Sequence, residues 1–197
     1  MRIIAGSAKG KTLLSPKDTR VRPTSDRARE GLFSSLESSF GSLHELTFLD
    51  LFAGSGAVGV EALSRGAELV HSVEADGDVG NLAISNLQLV KNPEGKYRLF
   101  HSSALLFLES DHPVLPAGRK YDIIFMDPPY NVSNEEIEVL LEIIVGRKLL
   151  EPPGLIAIER ETKGRPFTWP EPLTLEKIRS YGQGSIFYGG YSASVLP

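Results

Sequence analysis

The tetrapeptide Asp127-Pro128-Pro129-Tyr130 follows an apolar run, Tyr121-Asp-Ile-Ile-Phe-Met126, that reads as a buried strand. Its residue types suit chemistry on a weakly nucleophilic amine. The lone pair of an exocyclic amine on a purine or cytosine is delocalised into the ring. Acceptors fixed around its N–H groups favour rehybridisation towards sp3 and stabilise the positive charge that develops as it attacks. Asp127 supplies a carboxylate acceptor, and Pro128 a backbone carbonyl. The two prolines keep those acceptors rigid and donate no competing N–H. Tyr130 offers a ring on which an extruded base can stack. These four residues are the candidate catalytic set. An ordinary Pro-Pro turn after a strand is the simpler reading, and the rest of the chain argues against it.

The second cluster is Phe48-Leu-Asp50-Leu-Phe52-Ala-Gly54-Ser-Gly56-Ala-Val-Gly59, with Glu74 placed 20 residues beyond Gly54 at the end of another apolar run. A strand, a G-x-G-x-x-G turn, a helix start and a distant acid match a dinucleotide fingerprint. Asp50 opposes that reading, because a carboxylate four residues before the first glycine would repel a pyrophosphate. It suits a ligand with positive charge instead. S-adenosylmethionine carries a sulfonium and an α-ammonium group and no phosphate. The glycines would let the backbone approach its amino-acid part, and Glu74 would accept both ribose hydroxyls. Candidate cofactor contacts are Asp50, Phe52, Gly54, Gly56, Glu74 and Ala75, with Ser103 and Ala104 after a third strand on the adenine side. Ser103 reads equally well as a helix N-cap.

The elements that must position these groups alternate. Thr47–Phe52, Leu69–Glu74, Tyr97–His101, Tyr121–Asp127 and Leu155–Glu159 read as strands. Helices are expected over 26–39, 56–65, 79–90, 103–109 and 134–145. Alternation predicts an α/β fold with a Rossmann-like, mainly parallel sheet covered on both faces. Leu173–Tyr181 and Ser185–Tyr191, separated by Gly182-Gln183-Gly184, predict a terminal antiparallel hairpin. A glycine-interrupted hairpin is expected over 2–14, and Pro152-Pro153-Gly154 and Pro166–Pro172 read as surface loops.

Composition narrows the class. The chain of 197 residues has no cysteine, which excludes disulfides and thiolate metal sites, and His44, His71, His101 and His112 lack a ligand spacing. No metal is expected. No apolar run has signal-peptide or bilayer-spanning length, so a cytoplasmic location is expected. The net charge is −4, yet residues 1–29 hold eight basic side chains against two acidic ones. A basic arm on an acidic body fits a polyanionic partner, and it divides the chain into a basic extension over 1–24 and a catalytic domain over 25–197.

The chain resembles the bacterial small-subunit ribosomal RNA guanine-N2 methyltransferases. The matching segments are Arg2-Ile-Ile-Ala-Gly, Arg22-Pro-Thr-x-Asp-Arg-x-Arg-Glu-Gly-Leu-Phe, Leu49–Ala67, Asp127-Pro-Pro-Tyr and Gly182-Gln-Gly, which together extend over nearly the whole sequence. The resemblance implies a seven-stranded class I methyltransferase sheet with an N-terminal hairpin extension. It implies S-adenosylmethionine as cofactor and a guanine of 16S ribosomal RNA, free or in an assembling subunit, as substrate; no obligate protein partner is expected from the sequence. It places Thr24 and Arg27 near the methionine carboxylate and target base, and Arg2, Lys9, Lys11, Arg20 and Arg22 against RNA. Lys9 and Lys11 stand where arginines are usual, and Ser103 where an amide or acid is usual.

Rival readings remain within the sequence. Asp-Pro-Pro-Tyr also serves adenine-N6 and cytosine-N4 methyltransferases, although the chain is short for a separate sequence-reading domain. A protein-glutamine methyltransferase would carry asparagine at Asp127. A nicotinamide-dependent oxidoreductase leaves Asp127–Tyr130 unexplained, and a non-enzymatic RNA-binding protein leaves the pocket motifs unexplained.

Overall fold

A computed structural model describes residues 1–15, 26–91, 95–113, 115, 118–163, 167–182 and 184–192. The elements are α1 (Asp26–Phe40), β1 (Thr47–Asp50), α2 (Ala57–Ser64), β2 (Leu69–Glu74), α3 (Gly77–Leu87), β3 (Tyr97–His101), α4 (Ala104–Glu109), β4 (Tyr121–Met126), α5 (Asn134–Gly146), β5 (Leu150–Glu161), β6 (Leu173–Tyr181) and β7 (Gly184–Tyr191). The seven strands form one sheet in the order β3-β2-β1-β4-β5-β7-β6. The first five strands pair in parallel, and β7 lies antiparallel between β5 and β6. This is the expected α/β methyltransferase sheet with its terminal antiparallel hairpin.

Strand alternation feeds two cores, one on each face. Phe48, Ile123, Phe125 and Ala157 join Leu32, Phe33 and Val60 on one face. Leu49, Ile124, Met126 and Ile158 join Phe107, Ile137 and Leu141 on the other. Every residue of α2 is buried, including the acidic Glu61. The cause lies in the N-terminal residues, which cover the helix face turned away from the sheet.

Residues 1–15 form a short hairpin, with Ile3 N–H donating to the Lys11 carbonyl at 3.0 Å and Leu13 N–H to the Met1 carbonyl at 3.1 Å. Ile3, Ala8 and Leu13 are buried in the same core as α1 and α2. Glu61 accepts from the Ile4 N–H at 2.8 Å and the Ala5 N–H at 2.9 Å. It also pairs with Arg65 at 2.8 Å. The buried charge is thereby satisfied, and its partners fix where the hairpin sits. Further along, Asn86 holds both the N–H and carbonyl of Leu14 and donates to the Ser55 carbonyl at 2.9 Å. The chain thus runs from α2 up to the glycine-rich turn.

One expected loop is corrected. Pro152-Pro153-Gly154 lies inside β5, where the pairing slips from Tyr121–Leu150 to Ile123–Leu155. The extra residues form a bulge, which tolerates prolines because they are not required to donate to the ladder there. Gly154 is needed at that point: a Cβ would lie 2.8 Å from the Glu151 carbonyl oxygen and 2.9 Å from that of Asp122.

Candidate active site

A pocket of about 610 Å³ opens at the carboxyl ends of β1, β2, β4 and β5. Asp50, Phe52, Gly54, Glu74, Ala75, Ser103, Ala104 and Asp127–Tyr130 all line it. The topology explains this convergence. In a parallel sheet the strand ends share one edge, and β1 and β4 are neighbours there.

The turn after β1 is shaped by two glycines with left-handed backbone, Gly54 at φ 54° and Gly56 at φ 76°. They serve different purposes. A Cβ on Gly54 would meet nothing within 4 Å, so that position faces open space in the pocket wall. A Cβ on Gly56 would lie 2.8 Å from the Ala83 Cβ, and one on Gly59 would lie 2.8 Å from the Ser72 Oγ. Gly56 caps the start of α2 and lies outside the pocket lining; it and Gly59 let α2 pack closely on α3 and β2.

Asp50 is 1% exposed at the end of β1. Amides of Phe52 and Gly59 are directed at it, but among the described residues neither carboxylate oxygen has a completed hydrogen bond. Burial pushes its pKa up to about 8, with the carboxylates of Asp127 and Glu74 adding to the rise. A buried carboxyl group with unused acceptors at a pocket wall is matched to a cationic ligand group.

Glu74 holds the local backbone together. It accepts from the Gly54 N–H and the Asp76 N–H, both at 2.8 Å. Each carboxylate oxygen retains a second acceptor site, so ribose hydroxyls can still be received. Ser103 is the N-cap of α4, its hydroxyl accepting from the Leu106 N–H at 3.3 Å. The capping reading of Ser103 therefore holds, while its hydroxyl keeps a donor for the pocket.

The prolines after Asp127 end β4, and Val132 N–H closes the following turn onto the Pro129 carbonyl at 3.0 Å. Ser133 and Glu136 form a capping box that starts α5. Arg160 of β5 donates to the Val132 carbonyl at 2.9 Å and to Asn134 Oδ1 at 3.3 Å, tying this loop to the sheet. Tyr130 stands 60% exposed at the rim.

Other expected contacts fall elsewhere. Arg27 is exposed in the first turn of α1 and is not part of the pocket lining. Thr24, Arg20 and Arg22 lie outside the described residues. Arg2, Lys9 and Lys11 are exposed on the hairpin, with Lys11 donating to the Leu89 carbonyl at 2.6 Å. The sequence reading missed Glu159, Arg160, Glu161, Tyr181 and Gly184, which complete the far wall. Glu159 ends an expected strand as Glu74 does, and that shared position was the available signal. Tyr181 is seated over Gly31 of α1, where a Cβ would come within 2.3 Å of the ring and hydroxyl. Among the described residues no group of His, Asp or Glu is arranged to hold a metal, and no helix is long and apolar enough to cross a membrane.

The sheet order and the pocket at its carboxyl edge are those of the α/β methyltransferase fold. The structure of the rRNA methyltransferase aviRa from Streptomyces viridochromogenes superposes with a TM-score of 0.67 at 16% identity, covering 93% of this chain and 90% of that one. The family model described as conserved hypothetical protein 95 matches residues 1–189, and the chain belongs to that family. Among relatives, the ribosomal RNA small subunit methyltransferase D of Haemophilus influenzae is 37% identical over 185 residues, 92% of this chain and 89% of its own length. Its counterpart in Escherichia coli K12 is 34% identical over 183 residues, 93% of this chain and 86% of its own length. The solved structure of the Escherichia coli protein yhhF has a TM-score of 0.80 at 31% identity and covers 98% of both chains. Fold and relatives together make this protein a methyltransferase.

Proposed function

We propose that the protein transfers a methyl group from S-adenosylmethionine to the N2 amine of a guanine in 16S ribosomal RNA, in the cytoplasm. The observation that carries this reading is one pocket lined by the buried Asp50, by Glu74 and by Asp127-Pro128-Pro129-Tyr130. Small-subunit ribosomal RNA as the substrate is supported by the relatives named for it.

The residues present fit the cofactor. The carboxyl group of Asp50 matches a cationic amino acid and would repel a pyrophosphate. Gly54 leaves the wall open for the methionine part, Glu74 and Ala75 face the ribose, and Ser103 and Ala104 flank the adenine. Thr24 and Arg27 are assigned to the methionine carboxylate and target base by family position. When bound, S-adenosylmethionine supplies an electrophilic methyl group on a sulfonium.

Asp127 and the Pro128 carbonyl accept the N–H groups of the target amine, holding its lone pair towards that methyl group. Their hydrogen bonds strengthen as positive charge develops on nitrogen, which is where catalysis is gained. Asp127 need not be a strong base, because the methylated amine loses its proton readily afterwards. Tyr130 stacks on the extruded base. Residues 1–24 act as the RNA-holding extension through Arg2, Lys9, Lys11, Arg20 and Arg22.

The test is to incubate the protein with labelled S-adenosylmethionine and 16S ribosomal RNA, free and in small-subunit particles, and to identify the methylated nucleoside. N2-methylguanosine is expected. N6-methyladenosine or N4-methylcytidine would establish the rival amino-methyltransferase readings. Calorimetric titration with NADP should show no binding where S-adenosylmethionine binds.

A further inference from the structure

Taking the pocket as a guanine site, as proposed above, we infer that Glu159 selects the base: its carboxylate accepts the guanine N1–H while Asp127 accepts the N2 amine. Ile158 of β5 pairs in register with Met126 of β4. The next residues, Glu159 and Asp127, therefore stand side by side where two parallel strands, about 4.8 Å apart, reach the pocket. Alternation puts them on one face. Phe125 and Ala157 enter one core and Met126 and Ile158 the opposite one, so Asp127 and Glu159 return to the face of the first pair. Both line the pocket, and Glu159 Oε2 is shielded from solvent.

The surroundings keep Glu159 in place. Gly184 of β7 lies against it, and a Cβ there would come within 3.1 Å of Glu159 Oε1. Arg160, the next residue, anchors the loop that follows Tyr130 through Val132 and Asn134. The carboxylate of β5, the carboxylate of β4 and the stacking ring are thereby held in one frame.

The chemistry of the three amine-bearing bases then discriminates. Guanine places the N1–H donor beside its amine. Adenine places a bare N1 beside its amine, and cytosine a bare N3. A carboxylate opposite that neighbouring atom receives a hydrogen bond from guanine and faces a lone pair on either of the others. Extruded bases are read by such contacts to the Watson–Crick edge, and a site that rejects the wrong partner by unpaired acceptors discriminates strongly.

The test uses the full chain and a ribosomal RNA fragment that it methylates, carrying either guanine or 2-aminopurine at the target position. 2-Aminopurine keeps the amine but has a bare N1. The wild type should favour guanine at least about tenfold in kcat/KM. Glu159→Gln should lose about 10- to 100-fold on guanine and improve relatively on 2-aminopurine, because the carboxamide can donate to N1. Affinity for S-adenosylmethionine should not change. Equal losses on both substrates, or an unaltered preference, would overturn the assignment. Equal use of both substrates by the wild type would overturn it without any variant. That result alongside N2-methylguanosine as the natural product removes only the role of Glu159; another methylated nucleoside removes the reading beneath it.

Discussion

The two halves of the pocket are built differently. On the β1–β2 side the wall is mostly backbone and two carboxyl groups held in place: Gly54 in left-handed conformation, the partly buried Glu74 tied to two amides, Asp50 sealed under the turn. On the β4–β5 side it is side chains and a proline loop, with Tyr130 at an exposed rim and Tyr181 brought in from β6. The first half is preformed for a ligand of fixed shape. The second half is completed by groups far apart in sequence, which fits the proposal that an extruded base of a larger substrate is received there. Damage to one half should therefore leave the other measurable.

Asp127→Ala should give the largest effect, confined to the substrate half. Loss of a group that acts more strongly in the transition state typically costs about 10²- to 10³-fold in kcat. The dissociation constant for S-adenosylmethionine, read by calorimetry, should stay within a factor of about two of wild type on this reading. A variant retaining more than about a tenth of the wild-type rate, a loss under ~1.4 kcal/mol, would take the amine-acceptor role from Asp127.

Asp50→Asn should act on the cofactor half, weakening S-adenosylmethionine by about 10- to 100-fold through loss of a charge-assisted hydrogen bond. The free protein should respond in the opposite sense. With its pKa raised to about 8 from an ordinary 3.8, Asp50 stays protonated in the folded state where the unfolded chain is already ionised. Folding stability therefore falls as pH rises from about 4 to about 8 and levels off above it. The asparagine variant should melt higher than wild type at pH 8 and lack that segment of the pH dependence. Cofactor binding at pH 7 should release up to one proton from wild type and none through this site in the variant, seen by calorimetry in buffers of different ionisation enthalpy. A variant with unchanged affinity and an unchanged pH profile would make Asp50 a packing residue.

The difference between the halves also explains what the sequence disclosed. Asp50, Gly54 and Glu74 lie on consecutive elements, and the spacing of a turn and two strand ends carries the whole geometry. The mainly parallel sheet was legible in the same way, since strands alternating with helices leave few topologies to choose from. Tyr181 and Gly184 were not legible, because their place depends on β7 inserting between β5 and β6 and on α1 offering Gly31 beneath a tyrosine, whereas Glu159 carried the same strand-end signal as Glu74. The bulge in β5 was hidden for a related reason. Two prolines and a glycine signal a loop locally, and only pairing with β4 on either side makes them part of a strand. For Gly56 the motif suggests a cofactor contact, and the close neighbour that the fold gives it is Ala83 of α3.

Tyr130 tests whether the exposed rim is a stacking surface. Tyr130→Phe should keep near wild-type kcat/KM on RNA, and Tyr130→Ala should lose about 5- to 150-fold, the value of a base–aromatic stack of roughly 1–3 kcal/mol. Neither should alter cofactor affinity. Equal damage from both substitutions would assign the function to the hydroxyl group and leave the stack without support.

The smallest effect is expected at the N-terminal hairpin, where charge must be separated from structure. Removing residues 1–15 would withdraw Ile3 and Leu13 from the core and take from Glu61 its two amide donors and its cover. The truncation would also expose apolar surface of α1 and α2 to water, so a truncated chain would report on folding before it reported on RNA. Lys9 and Lys11 offer a cleaner change, because both side chains are exposed and Lys11 Nζ is tied only to the Leu89 carbonyl among the described residues. An ammonium has three donors, so that hydrogen bond leaves Lys11 able to meet a phosphate. The double variant Lys9→Ala, Lys11→Ala should keep its melting temperature and its affinity for S-adenosylmethionine. Its affinity for ribosomal RNA should fall several-fold, and the slope of log affinity against log salt should flatten by about 0.7 to 0.9 for each phosphate no longer neutralised. The salt slope decides the matter, since a packing defect would shift affinity without releasing fewer counterions. If the slope stays at its wild-type value, RNA is held by the acidic body's own basic side chains or by residues 16–25, and the hairpin serves to cover α2.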